Sequence, residues 1–233
     1  MKIEENRLYG GIAFGIFILV FFYAGVPFQI LGIDIRTIPE VLVHIYSGLL
    51  NVLMIVIITM FFKDYLVKAF KDFKKNKNEY FKKYFKLWFL ILLGNVVFNL
   101  IINSISGSSM SGNEEEVRNL LTSNPFYMWV SAVLIAPILE EFVFRLSFRN
   151  MIKNKWLFIL LSGFTFGAFH LIGNVDSLID LLYIFPYSIP GMIFAYILYD
   201  SKNIFNTVFL HMFHNGILTS LEILLLLLGV SIV

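Results

Sequence analysis

Two adjacent glutamates and an arginine, Glu140, Glu141 and Arg145, sit inside an otherwise apolar stretch running from Pro125 to Phe148. A stretch of that length can cross a bilayer, which needs roughly 20 helical residues. Each ionised side chain near the bilayer centre costs roughly 2.5–3.5 kcal/mol on insertion scales. Three of them in such a helix must be paired or put to use. Glu141 and Arg145 are four apart and can pair on one helix face. Glu140 has no such neighbour, which makes it a candidate functional group.

The composition agrees with a membrane protein. Hydrophobic residues make up 58% of the 233, charged residues 15%, and the mean hydropathy is +0.80. A soluble domain carries a far larger charged fraction. The expected fold is an all-α polytopic membrane helix bundle, a single integral-membrane domain over residues 1–233. The absence of cysteine excludes disulfides, thiol nucleophiles and Cys-based metal sites. A net charge of +2 argues against nucleic acid as a partner.

The apolar runs predict helices over about Leu8–Leu31, Val41–Phe62, Leu87–Ser106, Pro125–Arg149, Trp156–Ile172, Leu178–Tyr199 and from Ile204 onward. The first is read as a retained helix, because it lacks a small-x-small cleavage site. Pro186 and Pro190 are expected to kink the sixth. Gly216 and Thr219-Ser220 suggest a break in the last run, giving seven or eight transmembrane helices. Between Lys63 and Lys86 lie nine lysines and three acids. A polar loop is expected over Gly107–Asn124, with Glu114, Glu115 and Glu116. If the helices alternate in direction, the lysine segment, the Arg149–Lys155 turn and Lys202 share one side. The positive-inside rule then predicts a multi-pass protein of the cell membrane with its N-terminus in the cytoplasm. The lysines read first as a solvated topology signal, with a docking surface for anionic membrane lipids as the sharper alternative.

The remaining polar groups within apolar runs are few. His170 closes Phe166-Gly167-Ala168-Phe169-His170, and His211, His214 and Asn215 stand in the last long helix. His211 and Asn215, four apart, share a face. At about 1.5 Å per residue from the lysine-side helix ends, Glu140, His211 and Asn215 fall about 10–16 Å deep, and His170 about 21 Å. Such a cluster supports two chemistries. A carboxylate and an imidazole can hold and deprotonate water, while a second His and an Asn amide stabilise an oxyanion. Alternatively Glu140, His170 and His211 form a mixed N/O set that could bind Zn²⁺. Either route leads to hydrolysis of an acyl bond, a peptide bond foremost. His-Glu-x-x-His is absent, so a zincin site has no support. Burial as a structural ion network is the bland alternative for Glu140, Glu141 and Arg145. His44 carries no motif, His214 is read as packing, and Asp176 and Asp180 as helix-start residues.

Glu140-Glu141-x-x-x-Arg145, Phe166-x-x-x-His170 and His211-x-x-x-Asn215, in this order on separate helices, resemble the CPBP family (CAAX proteases and bacteriocin-processing enzymes, also called Abi). The resemblance covers roughly Pro125–Gly216, a core expected over 125–216. It implies a helical intramembrane endopeptidase in which Glu140 and His170 activate water. His211 and Asn215 would stabilise the tetrahedral intermediate, and Glu141 with Arg145 would brace the site. It leaves open a metal-dependent or a metal-free glutamate mechanism. The substrate expected is a peptide or membrane-associated precursor cut near the lysine-rich face. A composition rich in Lys, Ile, Asn and Phe hints at an AT-rich bacterial genome, which favours a peptide precursor over a prenylated CAAX protein. A non-enzymatic bacteriocin-immunity or scaffolding protein is the alternative, and a proton-coupled transporter a third reading.

Overall fold

A computed structural model describes residues 6–107 and 110–230. Part of the N-terminal Lys2–Arg7 stretch, two residues of the expected polar loop and the end of the expected eighth helix lie outside them. The described residues form helices and turns, with no strand among them. We number the helices α1 (Arg7–Tyr23), α2 (Val26–Ile30), α3 (Glu40–Phe61), α4 (Lys63–Ser106), α5 (Gly112–Ser123), α6 (Pro125–Met151), α7 (Lys155–Phe169), α8 (Ile184–Ser201) and α9 (Ile204–Leu227).

Five helical stretches are long and apolar enough to cross a membrane: α3, α4, α6, α8 with the 3₁₀ turn before it, and α9. Two further apolar helices, α1 and α7, are shorter. At 17 and 15 residues they reach about 25 and 22 Å, less than a 30 Å hydrocarbon core. Of the expected seven or eight spans, five meet the length and hydropathy of a crossing helix, and two further apolar helices fall short of it. The expected first helix divides at Ala24-Gly25 into α1 and α2. No break occurs at Gly216, and α9 runs unbroken for 24 residues. A membrane helix satisfies its own backbone, so a glycine and two small hydroxyl residues need not interrupt it.

The lysine-rich segment is also not a separate connection. It is the first half of the 44-residue α4. Tyr65 donates to the Lys202 carbonyl, Asn203 donates to Asp72 and Tyr84 donates to Asp200, so about five turns of α4 hold the α8–α9 turn. The basic elements gather at this end. Lys83 pairs with Asp200 at 2.7 Å, and Arg149 and Lys155 lie over Tyr199. At the opposite end the expected polar loop contains α5, capped by Ser111, whose hydroxyl accepts from Glu114 N.

The centre of the bundle is α6. Every residue from Glu141 to Phe148 is buried, which marks a helix surrounded on all sides. Around it pack Ala13 and Phe17 of α1, Met54 and Ile58 of α3, Phe158 and Phe166 of α7, Leu198 of α8 and Val208 of α9. Helices α7 and α8 also approach closely. A Cβ on Gly191 would lie 2.9 Å from Gly163 Cα, and one on Gly167 would lie 2.8 Å from the Ile184 carbonyl. Gly163-x-x-x-Gly167 is thus a small-residue seam of the kind that lets membrane helices touch backbone to backbone. It fixes the end of α7, and with it His170. Gly167→Val should destabilise the protein by about 1–3 kcal/mol through overpacking, read as a lower unfolding midpoint in detergent. Gly11→Val, where a Cβ meets nothing within 4 Å, serves as the control.

Candidate active site

Helix α6 is not a uniform α-helix. It contains two π-helical turns, Ser131–Ile135 and Glu141–Ser147. Pro137 accounts for the first. Proline lacks an N–H and its ring crowds the carbonyl four residues back, here Val133. Within that turn the Ala136 N–H bonds to the Ser131 carbonyl. The Ala132 carbonyl is then left facing Pro137, which has nothing to donate. Asn215 fills the gap, its Nδ2 donating to the Ala132 carbonyl at 2.8 Å. In the second turn side chains supply the donors. Ser147 Oγ bonds the Phe142 carbonyl, Ser162 Oγ the Phe144 carbonyl and Asn150 Nδ2 the Leu146 carbonyl. Such π turns are frequent at functional sites.

Glu141 opens the second π turn and is fully buried, as is Arg145. The expected pair forms, with Arg145 Nη2 3.3 Å from Glu141 Oε1. The guanidinium also lies 4.3 Å over the Phe166 ring, with Phe194 beyond at 5.8 Å, a cation–π sandwich in a desolvated setting. The same Glu141 Oε1 accepts from His211 Nδ1 at 3.0 Å. Because a carboxylate so engaged only accepts, Nδ1 carries the proton and Nε2 turns towards Glu140. Glu140 Oε2 stands 3.6 Å from it, longer than a direct hydrogen bond. His211 therefore lies between the two glutamates, and its ring is stacked on Phe194 at 4.9 Å.

His170 caps the C-terminus of α7, and its Nδ1 donates to the Phe166 carbonyl at 2.9 Å. That bond leaves Nε2 as the basic nitrogen. The ring stacks on Tyr187 at 4.6 Å, and Tyr187 is tied to α5 by Ser111 at 2.6 Å and Asn113 at 3.1 Å. His214 accepts at Nδ1 from Trp88 Nε1 at 3.1 Å and makes no hydrogen bond to either glutamate. His44 pairs with Glu40 and stacks on Tyr127 at 4.8 Å.

One cavity of about 700 Å³ brings Glu140, His170, His211 and Asn215 together. Glu141 and Arg145 lie behind it and do not line it. Its other walls come from α4, α5, α8 and the α5-side halves of α6 and α9, and none comes from the lysine-rich half of α4. Three of its polar features escaped sequence reasoning. The asparagines of α4 (Asn95, Asn99, Asn103) were legible as a four-residue repeat. Tyr187 and Glu222 carried no local signal. For a metal the fit is poor. Among the described residues, no three His, Asp or Glu side chains are gathered to hold an ion, the Glu140, His170 and His211 set included.

Comparison with known proteins bears on the same segment. Residues 122–217 match the family described as Type II CAAX prenyl endopeptidase Rce1-like. The chain resembles the CAAX proteases, as its three motifs imply. An uncharacterized protein of Mycoplasma capricolum subsp. capricolum is 29% identical over 64% of this chain and 46% of its own length. The UPF0177 protein YbdI of Lactococcus lactis subsp. lactis is 29% identical over 39% and 57%. The membrane-embedded CAAX protease MroQ of Staphylococcus aureus is 27% identical over 61% and 60%. The aligned part thus spans about half the length of these curated relatives. No solved structure matches the chain.

Two outcomes follow for the buried groups. Arg145→Ala strands the Glu141 charge and should cost about 3–5 kcal/mol of stability, while Glu141→Gln/Arg145→Met together should cost much less. Asn215→Leu should cost about 1–3 kcal/mol by orphaning the Ala132 carbonyl, and Pro137→Ala in the same chain should recover most of it. Chemical or thermal unfolding in detergent measures both.

Proposed function

We propose that this protein is an intramembrane endopeptidase that hydrolyses a peptide bond in a peptide or membrane-associated precursor. The observation that carries the reading is the polar cavity, inside a membrane bundle, that gathers Glu140, His170, His211 and Asn215. The likeness of residues 122–217 to CAAX endopeptidases supports it.

In this mechanism the Glu140 carboxylate and His170 Nε2 hold a water molecule and take its proton as the oxygen attacks the scissile carbonyl carbon. His211 Nε2, turned into the cavity by the Glu141 bond, and the second Nδ2 hydrogen of Asn215 face the developing oxyanion. For His211 to donate there, the proton it needs arrives from Glu140, its neighbour. Collapse of the intermediate re-forms the C=O bond and breaks the C–N bond; His211 returns that proton through Glu140 to the departing amine, and the new carboxylic acid releases the second proton of the water. Arg145 balances the carboxylates and never touches substrate. No step needs a metal. The lysine-rich end faces the cytoplasm in this reading, by the positive-inside rule.

The test compares peptides in membranes and medium of cells carrying the wild type, Glu140→Gln, His170→Ala or no gene, at matched protein levels. Products made only by the wild type are expected, with the variants reduced by at least about 10²-fold. If Glu140→Gln matched the wild type and both differed from the deletion, a binding or immunity role would replace the enzymatic one.

A further inference from the structure

The cavity does not end at Glu140. It continues to the α5 end of the bundle, and α4 lines it with Asn95, Asn99 and Asn103. A spacing of four puts the three carboxamides in one row along the helix. The row leads from half-buried Asn95 to exposed Asn103. The Asn95 carbonyl oxygen is buried and accepts no hydrogen bond. A buried polar atom left unpaired costs about 1–3 kcal/mol, so Asn95 is expensive unless something in the cavity completes it.

The missing partner needs to donate and accept repeatedly along a line. A carboxamide offers both, which is the complement of a peptide group. Four helical residues advance about 6 Å. An extended chain repeats the backbone groups that face one side every two residues, about 6.6 Å. The two repeats nearly coincide over the three positions. A peptide leaving water also has to keep its amides bonded within the membrane.

We propose that Asn95, Asn99 and Asn103 form a docking rail for an extended peptide that enters from the α5 end and presents its scissile bond to Glu140. The proposal rests on the endopeptidase reading and adds the path and the mode of recognition. Contacts are made to the backbone, so the rail tolerates many sequences and rejects a segment that stays helical. The approach is also from the end opposite the lysines.

The natural absence of cysteine allows a direct test in sealed vesicles. Val96→Cys and Leu100→Cys, which line the cavity beside the row, report access of a membrane-impermeant thiol reagent, and Lys75→Cys marks the lysine end. All are made in the Glu140→Gln chain, so no hydrolysis intervenes. The two cavity reporters should label only when Lys75→Cys does not. A mixed-sequence decapeptide library should slow that labelling, and the same library N-methylated along its backbone should not. Adding Asn95→Leu and Asn99→Leu should raise the protecting concentration about tenfold or more. Labelling from the lysine end, or equal protection by the N-methylated library, would overturn the proposal. Failure of the wild type to cut a library that the rail still binds would sink the catalytic reading alone. Cutting without protection would sink the rail alone.

Discussion

An arginine and a glutamate with no access to water hold this bundle together and shape its site. Alone, either charge would be costly inside the membrane. Together, four residues apart on α6 and roofed by Phe166 and Phe194, they form a nearly neutral unit that tolerates full burial. The unit then imposes its own demands. Glu141 fixes the tautomer of His211, which ties α9 to α6. The aromatic faces over Arg145 tie α7 and α8 to the same point. Four helices thus converge on one ion pair, and Glu140 is the next residue along, turned outwards to the cavity.

Around that point the packing works by two different means. Where α7 meets α8, glycines bring the backbones together and polar groups are few. Where α6 meets its neighbours, side-chain hydroxyls and amides complete broken backbone bonds. Asn215 belongs to the second group as well as to the site. One of its amide hydrogens serves the Ala132 carbonyl, which leaves one for the proposed oxyanion contact.

Much of this was legible in the residues. The Glu141–Arg145 pair follows from four-residue spacing, and the grouping of His170, His211 and Asn215 with Glu140 follows from their motifs. The gathering of basic elements at one end follows from the alternation of charged and apolar segments. What escaped has physical causes. Helix continuity through Lys63–Lys86 was hidden because lysine favours helices as well as water, so composition gave no boundary. The unbroken α9 was hidden because a membrane helix absorbs glycine without a partner. The cavity's extent towards α5 depends on six helices at once, and the depth count placed the groups without showing which way they open. The π turns depend on where Pro137 falls relative to its carbonyl neighbours, which hydropathy does not register.

Those turns have a consequence for how relatives of this chain are compared. Each π turn holds one residue more than an α turn, so everything beyond it is rotated by roughly 100° relative to a uniform helix. A helical wheel drawn from Pro125 therefore loses phase twice before it reaches Met151. Residues that look lipid-facing on such a wheel, Arg145 among them, are at the centre of the molecule. A relative with one residue fewer in α6 could align well by sequence and still present a different face to its cavity.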